Sequence, residues 1–245
     1  MNSGALLAAE GLTKRFGGVA AVADCSFSVP TGTITALVGP NGSGKTTVFN
    51  LLTGYLPADA GTVMFEGRTV RRPNPIRLYR SGLTRTFQQA RIFPELTLVE
   101  NVCVATPQPW RAIVRRAVGR HDRRRAIELL EEFGLAHLAA ERAGSLSYGQ
   151  KKLLEFATVL MGEPRLVLLD EPTAGVNPVM VEAIEARIRD LNARGLTFLL
   201  VEHNMNLVMR LCDPVIVLDH GMKLAEGKPD EVRNDARVLD AYLGA

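Results

Sequence analysis

The chain has 245 residues, of which 47% are hydrophobic and 22% are charged, a balance that fits one globular domain or a domain with a smaller subdomain. Its formal net charge of +3 is too small to favour a dedicated nucleic-acid-binding protein. The three cysteines lie far apart and form no CxxC pair, which argues against a disulfide framework and against a zinc site.

The N-terminus lacks both the basic start and the long apolar stretch of a signal peptide. No apolar run approaches the roughly 18 residues that a membrane-spanning helix needs. We therefore expect neither a signal peptide nor a transmembrane segment. If the protein acts at a membrane, we expect it to do so by docking there rather than by spanning it.

In chain order, short apolar segments bounded by turn residues predict buried strands. One strand is predicted at 33–38, where it ends at Gly39, and a helix is predicted to follow from residue 45 to about 55. Further strands are predicted at 62–65, 166–170, 197–201 and 215–218. Fully apolar strands between helical stretches indicate an α/β fold with a largely parallel sheet that is covered on both faces.

The middle of the chain has a different pattern, with helical periodicity and no strong strand. Two capping-box patterns occur in it, Thr97-x-x-Glu100 and Ser147-x-x-Gln150. We predict a helical subdomain at about 95–162, inserted into a core at about 1–94 and 163–245. A last helix is expected near 237–243.

The phosphate-binding-loop pattern GxxxxGK[ST] occurs directly after the first buried strand. Glycines let backbone N–H groups turn toward phosphate oxygens, and the next helix adds the positive end of its dipole. Lys45 is expected to reach the β- and γ-phosphates, Thr46 to bind Mg²⁺, and Thr47 to add a phosphate contact. The matching residues are Gly39, Pro40, Asn41, Gly42, Ser43, Gly44, Lys45 and Thr46.

Two adjacent acids stand where the strand at 166–170 ends. Asp170 is a candidate for holding Mg²⁺, directly or through water. Glu171 is the natural candidate to polarise the attacking water as a general base. Together with the phosphate loop, these acids predict a nucleotide hydrolase.

The segment Leu146-Ser147-Tyr148-Gly149-Gln150 resembles the LSGGQ signature of ABC ATPases, with Tyr148 in place of the first glycine. A hydroxyl and glycine amides at a helix N-terminus can form a second anion site. Taken alone, Ser147 and Gln150 would also be explained as an ordinary capping box. The order of Lys45, the signature and Asp170 favours the functional interpretation.

The resemblance extends over essentially the whole chain and implies roles for further residues. Gln88 matches the glutamine that contacts Mg²⁺ and links to the permease, in preference to Gln89. His203 matches the histidine that contacts the γ-phosphate, and Phe16 the aromatic that stacks on adenine. Asn177 stands where most of the family has an aspartate in the D-loop.

The same resemblance implies the family's fold and assembly. The fold is a P-loop core with an N-terminal antiparallel sheet and a helical subdomain. Two ATPase subunits, identical or different, would pair head to tail, so that Ser147, Tyr148, Gly149 and Gln150 of one cap the ATP of the other. Membrane permease subunits and, indirectly, an extracytoplasmic substrate-binding protein complete the complex. The ATPase would lie at the cytoplasmic face of the cell membrane without binding nucleic acid.

Finer features are most similar to the ATPases of branched-chain amino-acid importers. They are 85–88 (RTFQ), 202–205 (EHNM), 241–244 (AYLG) and Asn177. Urea and amide importers share many of these features, and lipopolysaccharide exporters are a more distant alternative. Non-transport ABC ATPases of translation or DNA repair are the alternative from another class. They are disfavoured by the single cassette and by the absence of a long coiled-coil insertion.

A locally basic stretch lies within the middle segment. It is either a solvated helical face or a contact with anionic lipid headgroups beside the permease. The residues are Arg111, Arg115, Arg116, Arg120, Arg123, Arg124 and Arg125.

Overall fold

The computed structural model describes residues 4–70, 73–86, 91–106 and 119–243. The strands in these ranges are β1 (Ala5–Phe16), β2 (Val19–Pro30), β3 (Ile34–Val38), β4 (Ala60–Phe65), β5 (Arg68–Val70), β6 (Leu83–Arg85), β7 (Leu166–Asp170), β8 (Thr197–Val201), β9 (Val215–Asp219) and β10 (Met222–Gly227). The helices are α1 (Lys45–Leu52), α2 (Pro75–Arg80), α3 (Leu98–Val104), α4 (Arg120–Glu132), α5 (Tyr148–Leu160), α6 (Pro178–Ala193), α7 (Met205–Leu211), α8 (Pro229–Arg233) and α9 (Ala236–Leu243).

The central sheet has six strands in the order β10-β9-β3-β8-β7-β6. Every pair in it is parallel except β10 with β9. All five residues of β3, β7 and β8 are buried, because both faces of these strands are covered. The predicted parallel sheet is confirmed.

Alternate residues of β3 enter two separate cores, as the two-residue period of a strand requires. Ala36 and Val38 belong to a core that also contains residues of α3 to α7. Leu37 belongs to a second core, which Phe49 and Leu52 of α1 share with the N-terminal strands. The central sheet is therefore the layer between two hydrophobic cores.

The N-terminal sheet is antiparallel, with the strand order β2-β1-β4-β5. One face of this sheet packs into the second core through Leu7 and Leu12 of β1 and Val22 of β2. The sheet thereby covers α1 and fixes the helix that follows the phosphate loop. This agrees with the N-terminal antiparallel sheet expected from the sequence.

Between β6 and β7 the described elements are helical, as expected. Thr97 caps α3 and Ser147 caps α5, and both predicted capping boxes form. Of the basic stretch, Arg120, Arg123, Arg124 and Arg125 lie on α4, whereas Arg111, Arg115 and Arg116 lie outside the described residues. The exact division at residues 95 and 162 stays a prediction.

Across the ranges that the structure describes, no helix combines the length and the hydropathy needed to cross a membrane.

We expect the substitution Phe198→Ala to lower the free energy of unfolding by about 3–5 kcal/mol, as for other buried aromatic truncations. Phe198 is fully buried in β8, at the centre of the sheet. Equilibrium urea unfolding measures the change. Val179→Ala is the control, because Val179 is 78% exposed and its truncation should change stability by less than about 0.5 kcal/mol. Equal losses in the two variants would contradict the prediction.

Candidate functional site

The phosphate loop joins β3 to α1 and depends on glycine at two close approaches. Gly39 has φ 152°, and a Cβ built on it would lie 2.1 Å from the carbonyl oxygen of Leu218. Gly44 caps α1 with φ 100°, and its Cβ would lie 2.5 Å from the carbonyl oxygen of Ala21. Any other residue at these positions would force the loop away from the sheet and from the start of the helix.

Lys45 begins α1 and folds back onto the loop. Its Nζ donates hydrogen bonds to the carbonyl oxygens of Gly39 and Pro40, both at 2.8 Å. Burial lowers the pKa of Lys45, and the nearby carboxylate of Glu171 partly offsets this effect. A cation that is only 7% exposed is thus held where phosphate oxygens would meet the backbone N–H groups of the loop.

The other loop residues lie around this cation. Ser43 is buried, with its Oγ 3.5 Å from the Lys45 Nζ. Asn41, Gly42 and Thr46 are exposed, and Thr47 is half-buried. The structure thus leaves Thr46, at the start of the helix, accessible to an ion.

Asp170 ends β7 and is paired with a residue that sequence reasoning missed. Its Oδ2 lies 2.6 Å from Nη2 of Arg85, the last residue of β6, and both side chains are buried. Arg85 also donates from Nη1 to Oδ1 of Asn50 at 2.7 Å and lies over the ring of Phe49. The pairing compensates the buried charge of Asp170. The sequence signal was the arginine that opens the 85–88 segment, which by itself indicates no partner.

The candidate donors for Mg²⁺ are oxygens, as this hard cation prefers. They are the hydroxyl of Thr46 and the carboxylate of Asp170. Within the described ranges no group of three or more His, Cys, Asp or Glu residues could hold a metal ion.

The candidate catalytic pair forms directly beyond the strand ends. Nε2 of His203 lies 2.9 Å from Oε1 of Glu171. Glu171 has φ 48°, a left-handed conformation that is strained for a residue with a side chain. Such strain persists only where neighbouring contacts fix the backbone, and Glu171 N–H donates to the carbonyl oxygen of Val201 at 2.9 Å.

Glu202, between Val201 and His203, is a second residue that sequence reasoning missed. It is 4% exposed, and its carboxylate accepts hydrogen bonds from backbone N–H groups of two different turns. A charged residue placed directly after a fully apolar strand was the signal that could have identified it.

The signature segment forms the N-terminus of α5. Ser147 Oγ accepts from the N–H of Gln150 at 3.3 Å, and Oε1 of Gln150 accepts from the N–H of Ser147 at 2.9 Å. The Ser147 hydroxyl keeps its hydrogen for donation. The N–H groups of Tyr148 and Gly149 lie in the first turn, where helix N–H groups have no intrahelical partner. Capping and anion binding are thus compatible in the same residues.

Tyr148, one departure from the family pattern, lies against the loop that contains the other, Asn177. The ring of Tyr148 would be 3.4 Å from a Cβ on Gly175 in the D-loop, and Lys152 Nζ lies 6.0 Å from the ring centre. Asn177 caps α6, with its Oδ1 accepting from the N–H of Met180 at 2.9 Å. The structure thus gives Asn177 a helix-capping contact that does not need the charge of an aspartate.

Lys152 brings a third buried cation near the acids. It is 1% exposed, and its Nζ lies 3.9 Å from Oε2 of Glu155. Burial lowers the pKa of Lys152, whereas Glu155 and, more weakly, Asp170 and Glu171 raise it. The charges at the end of β7 therefore act electrostatically on the signature helix.

Two predicted residues remain. Phe16 ends β1 with 52% of its surface exposed, and Lys14 Nζ lies 5.9 Å from its ring centre. An exposed aromatic ring of this kind is available for stacking. Gln88 lies outside the described residues, as does Gln89.

Comparisons with known proteins identify the family of the chain. The family model described as ABC transporter matches residues 22–174, and that described as branched-chain amino acid ATP-binding cassette transporter matches residues 222–245. The chain is 39% identical to the high-affinity branched-chain amino acid transport ATP-binding protein BraF of Pseudomonas aeruginosa, and 39% identical to LivG of Salmonella typhimurium, over 98% of both chains in each case.

Solved structures of ABC transporter cassettes have the same fold. A nucleotide-free ATP-binding cassette superposes with a TM-score of 0.88 at 34% identity, covering 98% of this chain and 100% of that one. A dimeric post-hydrolysis cassette bound to ADP and phosphate superposes with a TM-score of 0.77 at 25% identity, covering 91% of this chain and 98% of that one. The chain belongs to the ABC transporter family, as an ATP-binding protein that hydrolyses ATP.

Proposed function

We propose that the chain is the ATPase subunit of an importer of leucine, isoleucine and valine. The support is its 39% identity, along nearly the full length, to relatives named as high-affinity branched-chain amino acid transport ATP-binding proteins. The match of residues 222–245 to the family described as branched-chain amino acid ATP-binding cassette transporter is a second, separate line of support.

In this proposal the phosphate loop and the carboxyl ends of the strands together bind MgATP. Lys45 contacts the β- and γ-phosphates, the loop amides surround them, and Phe16 stacks on adenine. Thr46, Asp170 and Gln88 would hold Mg²⁺, which would neutralise charge on the phosphates when bound. The pairing of Asp170 with Arg85 keeps this carboxylate in place for the ion.

The contact between Glu171 and His203 is the observation that carries the proposed chemistry. Glu171 takes a proton from the attacking water as that water forms its bond to the γ-phosphorus, while the bond from this phosphorus to the β,γ-bridging oxygen breaks and ADP leaves. His203, whose Nε2 is 2.9 Å from Glu171, orients this carboxylate and contacts the γ-phosphate. The hydrogen bond from the N–H of Glu171 to the carbonyl oxygen of Val201 fixes the backbone that carries this carboxylate.

The site is completed by a second cassette. The Ser147 hydroxyl and the first-turn amides of Tyr148 and Gly149 contact the γ-phosphate bound by the partner subunit, with Gln150 holding the cap in shape. Asn177 lies in the loop between the two sites. A cassette dimer bound to ADP and phosphate is known among the structural neighbours, and it supports this arrangement.

The partners follow from the same proposal. The cassettes dock on permease subunits at the cytoplasmic face of the membrane, and an extracytoplasmic binding protein delivers the solute. We also propose that the helical segment at about 95–162 is a subdomain of the ATPase. Nucleic acid has no role in this function.

We expect Glu171→Gln to lower the turnover number by about 10²–10⁴-fold, the range for loss of a general base, while ATP binding persists. Steady-state hydrolysis and nucleotide-binding titrations on the same preparation measure the two effects. Glu163→Gln is a matched control, because Glu163 also has φ 48° but is exposed and precedes β7. Wild-type turnover in Glu171→Gln would assign the general base to another residue.

Leucine uptake tests the solute. Cells of the organism that makes this protein should lose leucine uptake when their only copy carries Glu171→Gln, because ATP would bind without being hydrolysed. The same cells with Glu163→Gln should keep it, and equal expression of both variants is checked by immunoblot. Normal leucine uptake with Glu171→Gln would contradict the branched-chain proposal and direct the assay to urea, amides or lipopolysaccharide export.

A further inference from the structure

The carboxylate of Glu202 joins two turns that leave the central sheet side by side. Oε1 accepts from the N–H of Thr173 at 3.0 Å and from the Thr173 hydroxyl. Oε2 accepts from the N–H of His203 at 3.0 Å and from the N–H of Asn204 at 3.4 Å. One carboxylate oxygen thus accepts hydrogen bonds from the turn after Glu171, and the other accepts them from the turn that contains His203.

A buried carboxylate is costly unless donors replace its hydration. Four donors surround Glu202, and three of them are backbone N–H groups of fixed direction. An apolar side chain in its place would leave these N–H groups without an acceptor. A carboxylate at this position instead provides two acceptors, each aimed at a different turn.

The contact begins where the strand ladder ends. The last pair between β7 and β8 is Asp170 with Val201, and the N–H of Glu171 then bonds to the carbonyl oxygen of Val201. Beyond this point the turns must diverge to expose their side chains. Glu202 connects them one step further on, next to the strained Glu171 backbone.

We propose that Glu202 is a positioning residue for ATP hydrolysis, whose carboxylate fixes the turn of Glu171 and the turn of His203 at one separation. The proposal rests on the roles proposed above for Glu171 and His203. Glu202 acts through these two residues and touches neither the nucleotide nor the water.

Glu202→Gln keeps the shape of the side chain but replaces one acceptor oxygen with an NH₂ group. That group then faces N–H donors of one turn or the other. The expected result is a turnover number lowered by about 10- to 100-fold, because a misplacement of about 1 Å has effects of this size. The KM for ATP and the affinity for nucleotide should stay within about threefold of the wild type, because the ground-state contacts remain.

Thr173 supplies a milder pair of variants in case Glu202→Gln does not fold. Thr173→Val removes the hydroxyl donor and should lower turnover by about tenfold, whereas Thr173→Ser keeps it and should stay within about twofold. The double variant Glu202→Gln/Thr173→Val should be no slower than Glu202→Gln alone, because both changes break the same connection. Glu131→Gln, on the exposed side of α4, is the control for the loss of a glutamate charge.

The experiment measures turnover, KM and nucleotide affinity with the full chain at saturating MgATP, together with the thermal unfolding midpoint. Turnover within about twofold of wild type in Glu202→Gln or in Thr173→Val would overturn the proposal. The proposal would also be overturned if the two losses of turnover multiplied in the double variant. It would likewise be overturned if nucleotide affinity and the unfolding midpoint fell together with turnover.

Glu171→Gln is measured beside these variants, so that the two proposals fail separately. If Glu171→Gln abolishes hydrolysis while Glu202→Gln does not affect it, only the positioning role is wrong. If Glu171→Gln hydrolyses ATP normally, the assigned general base is wrong, and the role of Glu202 falls with it.

Discussion

The parallel pairing of β3, β8 and β7 is the constraint on which the site depends. Parallel neighbours have their carboxyl ends at the same edge of a sheet, so the residues that follow each strand meet there. Lys45 follows β3 through the phosphate loop, Glu171 follows β7, and His203 follows β8. If one of these strands ran in the opposite direction, its functional side chain would lie at the far edge. Ligand binding at the carboxyl ends thus results from the direction of the strands.

Charge compensation is the second requirement at this edge. Three buried acids have their negative charge compensated in different ways. Asp170 pairs with an arginine, Glu155 lies beside a lysine, and Glu202 accepts several hydrogen bonds. Because isolated buried charges are strongly disfavoured, these pairings keep the carboxylates in defined positions. Lys45 instead has carbonyl oxygens as its acceptors. A phosphate can replace these neutral acceptors without leaving a carboxylate unpaired.

Much of this arrangement follows from local sequence. The apolar segments at 166–170 and 197–201 define β7 and β8 with the bounds that were predicted, because fully buried strands show in composition alone. The phosphate loop and both capping boxes depend on residues within eight positions of each other. By contrast, the pairing of Arg85 with Asp170 and of Glu202 with Thr173 joins residues far apart in sequence. A single sequence contains no signal for which distant polar side chains will meet. The sequence predicts that the first helix extends to about residue 55, whereas α1 ends at Leu52, just before Thr53 and Gly54.

The position of β3 has a consequence for the order of events during synthesis. Its neighbours in the described sheet are β8 and β9. Ile34 pairs with Phe198 and Ala36 pairs with Val215, so β3 has no pairing partner until these later residues have been made. The phosphate loop leaves the ribosome long before β8 and β9, the two strands that flank β3, have been made. The helical segment between β6 and β7, in contrast, depends mainly on nearby contacts and can form before that point. A stalled or truncated chain would therefore hold the loop sequence without the sheet edge that makes it a nucleotide site. Competence to hydrolyse ATP is therefore acquired only after β8 and β9 have been made.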